Sequence, residues 1–300
     1  MYSARVSIGP AEIGVYYMGQ HAPALASRLS AFGVGEGRDQ GLDAMIFLGG
    51  HATEAPDCPV SVPSRSREVR VGFREGRPMT VRASLAMPPK AMARRLKRVL
   101  QPTMWEEGRW QILLRNGFEL PILAILEYNY KLIPVHAATV TNGSGCVLIV
   151  GENGAGKSTL ACRAIDELDL ELLSDNFTPS DGTVAYSFPG PPRSKPGDSL
   201  PPEQPTGGRA PIRGFVWAGQ DLPESPMGRK SALQSFLGQS FDSHRGTGWD
   251  RAIGGGQALA TSLELTAGVA ERLSTVPSLG WKKEVDDPSA AIDFIRMCLT

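Results

Sequence analysis

Residues 146–168 read CVLIVGENGAGKSTLACRAIDEL, and the rest of the chain is best read outward from this stretch. Its first block, 146–150, is a short apolar run, which predicts a buried strand. Its last block places apolar residues at 160, 161, 164, 165 and 168, which predicts a helix over 157–168. Between them, 151–158 fits G-x-x-x-x-G-K-[ST] at every fixed position. A strand, a glycine-rich turn and a helix in that order form the context a phosphate-binding P-loop requires.

Each residue type in the loop has a physical task. Gly151, Gly154 and Gly156 let the backbone bend around anionic oxygens, with Glu152, Asn153 and Ala155 supplying further amide N–H donors. The helix N-terminus adds its own unpaired donors and partial positive charge. Lys157 brings a mobile cation to the β and γ oxygens, and Ser158 offers a hydroxyl to Mg²⁺. Thr159 follows in the first helical turn. ATP and Mg²⁺ are therefore the expected cofactors.

Two flanking stretches extend the reading: VHAATVTNGSGCVLIVGENGAGKSTLACRAI at 135–165 and LELLSDNFTP at 170–179. His136 lies fifteen residues before Gly151, and Asp175 lies eighteen after Lys157. Together they resemble the catalytic domain of the HPr serine kinase/phosphorylase family. In that family a strand bearing His runs into a glycine turn, then strand and P-loop, then a short strand ending in Asp-Asp. The resemblance covers about 134–192 and continues faintly to TVPSLGWKKEVDDP at 275–288. It implies that Asp175 is the catalytic base and a metal ligand, and that His136 stands near the reacting groups. It departs at Asn176, where the family has a second Asp. That change weakens the metal site, leaving an amide oxygen as ligand, and it argues against the reverse, phosphorolytic reaction. Residues 1–130 do not resemble the N-terminal domain of the HPr enzyme, so relatives that phosphorylate peptides or amino acids, such as the lasso-peptide tailoring kinases, become the closer models.

From the residues alone, a carboxylate at a strand end near the loop can reach the γ-phosphate or its metal and assist an incoming hydroxyl. Transfer also needs cations near the moving group. Arg193 is the first candidate, in a Pro-rich segment that follows the Asp-bearing strand; Lys195, Arg213 and Arg245 are others. A transporter-type ATPase would carry a signature ahead of an apolar strand ending in Asp-Glu. The run Gly254-Gly255-Gly256-Gln257 imitates part of that signature, but no such strand follows.

The remaining chain sets bounds. Its 300 residues suggest about two domains. The expected fold is α/β: a P-loop kinase domain of the HPr kinase/PEP carboxykinase-like type over 131–300, with an N-terminal α+β domain over 1–130 that recognises the acceptor or serves assembly. In the first part, strands are expected at 3–8, 12–17 and 45–48, a hairpin at 69–73 and 79–83, and helices at 22–32, 88–100 and 120–132. In the second, strands are expected at 135–141, 171–173, 212–218 and 273–276, helices at 230–241, 257–270 and 288–298, and a long loop at 187–211. Thirty-one basic and thirty-one acidic residues cancel, which argues against nucleic acid or an anionic membrane as partner. The charge-free run 132–151 holds Pro, His, Asn and several Gly, so it is not a membrane span. Four cysteines without paired spacing read as reduced thiols, and no secretory signal opens the chain, so a cytoplasmic protein is expected. The expected partner is a hydroxyl-bearing peptide or small molecule. A homo-oligomer stays open, because the HPr enzyme is a hexamer. The rival reading is a P-loop ATPase or nucleotide switch with no acceptor.

Overall fold

A computed structural model describes residues 2–17, 41–49, 60–62, 69–76, 78–85, 112–189, 208–219, 249–282 and 286–300. The expected helices at 22–32, 88–100 and 230–241, and Arg193, Lys195 and Arg245, lie outside the described residues. The described part is mixed α/β, built on two mixed sheets.

In the first sheet, the two strands expected at 3–8 and 12–17 are β1 (Tyr2–Ile8) and β2 (Ala11–Tyr17), which pair antiparallel about Gly9 and Pro10. β3 (Ala44–Leu48) lies parallel to β2. β4 (Val60–Val62), β5 (Val69–Arg74) and β6 (Met79–Leu85) complete the order β1-β2-β3-β6-β5-β4. Alternate residues, including Val6, Ile8, Ile13, Val15, Ile46 and Val81, are fully buried on one face, as the period of two demands.

That face packs on α1 (Leu120–Tyr130), which continues a π-helical turn, Arg115–Glu119. Residues 120–126 are apolar all round and buried throughout, and such a stretch must be covered on every side. Here the first sheet covers one side, while Phe177, Phe188, Trp249 and Ala258 belong to the same apolar cluster. The Trp249 indole N–H donates to the Asn116 carbonyl at 3.3 Å, within the π-helical turn.

The second sheet holds β7 (Ile133–Val135), β8 (Ala137–Thr141), β9 (Cys146–Gly151), β10 (Glu171–Ser174), β11 (Thr178–Ser180), β12 (Val184–Tyr186), β13 (Arg209–Ala218) and β14 (Ser278–Trp281). Its order is β10-β8-β9-β13-β12-β11-β7, with β14 added beside the second half of β13. Among its described strands the parallel neighbours are β9 with β13 and β13 with β14, and every other pairing is antiparallel. One face carries α2 (Lys157–Leu168) and α5 (Pro288–Leu299), which bury Leu160, Ala161, Ala164, Ala291, Ile292 and Ile295. After the short α3 (Trp249–Gly254), α4 (Ala258–Leu273) covers the other face with Val269, Ala270 and Leu273.

Three expectations need correction. The strand expected at 135–141 is two strands, broken at His136, that pair at different places in the sheet: β7 with β11, and β8 with β9 and β10. No strand occupies 273–276. Leu273 is the last inward position of α4, and the strand begins only after Pro277. β13 starts at Arg209, inside the expected loop, because Arg209–Pro211 pairs with β12. Among the described residues, no helix is long and apolar enough to cross a membrane.

Candidate functional site

The loop between β9 and α2 takes its shape from glycines with distinct tasks. Gly154 and Gly156 adopt φ of 87° and 91°, in the left-handed region that a side chain disfavours. Gly151 is required by space: a Cβ there would stand 1.9 Å from the Ala218 carbonyl oxygen on β13. The Gly156 carbonyl accepts the first helical bond of α2, from Leu160 N–H at 2.9 Å. The N–H groups that precede it in the first turn are the orphan donors of a helix start, available to an anion.

Lys157 is buried and turned back on its own loop. Its Nζ donates to the carbonyls of Gly151 at 2.7 Å and Glu152 at 2.8 Å. Burial pushes its pKa down to about 8, against the upward pull of the Glu152 carboxylate. Glu152, Asn153, Gly154 and Thr159 are exposed, while Ala155, Gly156 and Ser158 are half-buried. The loop thus presents exposed backbone, and behind it a lysine whose Nζ is held by two backbone carbonyls.

Asp175 comes to this loop across the sheet. β10 is separated from β9 by β8, and Asp175 follows directly on Ser174, the last residue of β10. The Ser158 hydroxyl donates to Asp175 Oδ1 at 3.0 Å. A hydroxyl and a carboxylate in contact, with the half-buried Asn176 amide next in the chain, form a set of hard oxygen donors suited to Mg²⁺. Among the described residues no three His, Cys, Asp or Glu side chains gather as a metal site.

No protein-family model and no curated protein matches this chain. The reading of the site therefore stands on its geometry.

His136 lies at the break between β7 and β8, 8% exposed, with its ring centroid 5.8 Å from that of Phe177. It packs beside the turn that carries Asp175. Arg213 is placed elsewhere. It is exposed beside Gly145, where β9 begins, whereas the P-loop leaves the other end of that strand. The register Ile212↔Cys146 and Ala218↔Gly151 puts the length of β9 between Arg213 and the glycine-rich loop. A separate cavity of about 520 Å³, lined by Asp43, Phe73, Glu75, Asn129 and Tyr130 among others, includes no P-loop residue. The sequence reading missed the buried hydroxyls of Thr139, Ser174 and Thr178 around the Asp175 turn. Their only signal is a small hydroxylic residue at a strand position where an aliphatic one is the norm.

Proposed function

We propose that this chain is an ATP-dependent kinase that transfers the γ-phosphoryl group to a hydroxyl, serine-like, on a peptide or small molecule. The observation that carries the reading is the Ser158–Asp175 hydrogen bond, which joins a P-loop hydroxyl to a strand-end carboxylate. In this scheme the 151–158 backbone and the start of α2 hold the phosphates, with Lys157 leaving its carbonyl partners to meet the β and γ oxygens. Ser158, Asp175 and the Asn176 amide would hold Mg²⁺, which supplies charge neutralisation when bound. The acceptor oxygen forms its bond to the γ phosphorus as the bond from phosphorus to the ADP oxygen breaks. The acceptor's proton passes to Asp175. His136, packed on Phe177, supports the turn that aims this carboxylate. The resemblance to HPr kinase-like enzymes agrees with this assignment, and the P-loop kinase type of the second sheet belongs to the same proposal.

The test is incubation with γ-labelled ATP and a panel of hydroxyl-bearing peptides and metabolites, read by mass spectrometry of the products. Lys157→Ala should abolish ATP turnover. Asp175→Asn should keep the metal-free nucleotide affinity, lose part of the gain from Mg²⁺, and slow transfer by about 10²–10⁴, the range of general-base help. Phosphate release with no labelled acceptor in any arm would favour the ATPase or switch reading, and unchanged transfer by Asp175→Asn would remove the mechanism.

A further inference from the structure

The turn that carries Asp175 and Asn176 is gripped by buried hydroxyls on both of its legs. On the incoming leg, β10 slips register against β8 between Leu172 and Ser174, so that Ser174 faces Thr139. A bulge of this kind re-aims the side chains that follow it. Ser174 is fully buried, and its hydroxyl donates to the Phe177 carbonyl across the turn, with the Phe188 carbonyl at 3.4 Å. On the outgoing leg, Thr178 Oγ1 lies 2.7 Å from Thr139 Oγ1, one hydroxyl donating to the other, and both residues are fully buried. Thr139 on β8 thus stands opposite one leg of the turn and is bonded to the other.

We infer that Ser174, Thr139 and Thr178 are positioning residues that fix the Asp175 carboxylate in reach of Ser158 and so set the affinity for Mg²⁺-bound nucleotide. None of the three needs to touch nucleotide. Apolar residues of the same size would fill the space, but three adjacent fully buried hydroxyls cost desolvation unless each bond is made. What their bonds fix is the path of two residues, Asp175 and Asn176, and those are the two that the proposed reading assigns to the metal. The inference rests on that reading.

The test is the affinity of the full chain for ATP by calorimetry, once in EDTA and once with Mg²⁺. Ser174→Ala and the double change Thr139→Val with Thr178→Val should leave the EDTA affinity within about twofold of the parent and cut the gain from Mg²⁺ by about tenfold or more, the usual effect of residues that orient ligands. The double change replaces both hydroxyls of a pair, so neither is left without its partner, and it decides the matter should Ser174→Ala fail to fold. Thr139→Ser, which keeps the hydroxyl, should retain the parent's Mg²⁺ gain. A folded double variant with the full Mg²⁺ gain, or one that loses affinity equally in both buffers, overturns the positioning role. A parent protein that binds ATP with no gain from Mg²⁺ overturns the metal reading itself.

Discussion

Held by the carbonyls of Gly151 and Glu152, the Lys157 ammonium keeps its proton less firmly than a solvated lysine, because burial disfavours the charged form. Phosphate binds the charged form, which fixes the sign of the pH dependence. On the proposed reading, metal-free ATP affinity should be level from about pH 7, where the terminal phosphate is ionised, to about 8. It should decline as the lysine proton is lost above that, whereas an unburied lysine would hold its charge to 10.5. Binding isotherms in EDTA at rising pH check this, and a level profile up to about pH 10 would contradict it. Cys146 obeys the same physics with the opposite sign of shift. Burial pushes its thiol up to about 12, and its Sγ donates to the Ala210 carbonyl at 3.5 Å. Reactivity belongs to the thiolate. Iodoacetamide at neutral pH should therefore leave Cys146 unmodified in the native protein and label it after unfolding, as read by peptide mass spectrometry.

At the scale of elements, a tight approach near the π-helical turn gives a sharp expectation. A Cβ at Gly117 would stand 2.2 Å from the Ala83 Cβ and 3.0 Å from Leu48 Cδ2, so Gly117→Ala must push the helix from β3 and β6. Overpacking of this kind costs about 1–3 kcal/mol, read as a lowered denaturant midpoint. The β11–β12 hairpin gives a second expectation. Burial raises the Asp181 pKa, but bonds from the Thr183 hydroxyl and from the N–H groups of Thr183 and Val184 lower it by more, so the net shift is downward. A depressed carboxyl stabilises the fold above the unfolded value, near 3.9, and that contribution disappears as pH falls through the folded value. Asp181→Asn should flatten stability against pH in this acid window, as followed by acid unfolding; an unchanged acid limb would contradict the assignment. The elements most legible in the sequence were those with local signals. The helix over 157–168 has its apolar spacing, and the β5–β6 hairpin has two alternating strands about a charged turn. Less legible were elements that exist only through distant partners. β11 and β12 are three residues each and owe their form to Val135 and Arg209. The break at His136 hides between apolar neighbours that are buried on both sides. The loop motif named Ser158 and the family resemblance named Asp175, while their contact depends on β8 lying between β9 and β10.

For the molecule as a whole, the question is whether the division expected at 130 and 131 separates two folding units. α1 ends at Tyr130, at that boundary, yet its burial draws on both parts. On one side stand Val15, Ile46 and Val81 of the first sheet; Phe177, Phe188, Trp249 and Ala258, from the second part, close the same cluster. The fully buried Glu127 of α1 also accepts a hydrogen bond from Ser262 on α4, which ties a polar side chain of one part to the other. Removing one partner of such a buried polar pair strands the other, a cost well above that of an exposed contact. Apolar surface left open on either fragment would add about 25 cal/mol for each Å² not buried. The full chain should therefore lose its two sheets in a single cooperative transition, with far-ultraviolet and tryptophan signals coincident. Expressed apart, 1–130 and 131–300 should each bind a hydrophobic dye and unfold without a cooperative transition, and mixing the two should restore part of the native signal. A fragment 131–300 that melts sharply and binds ATP like the full chain would show instead that α1 is a cover for the second sheet and not part of its core.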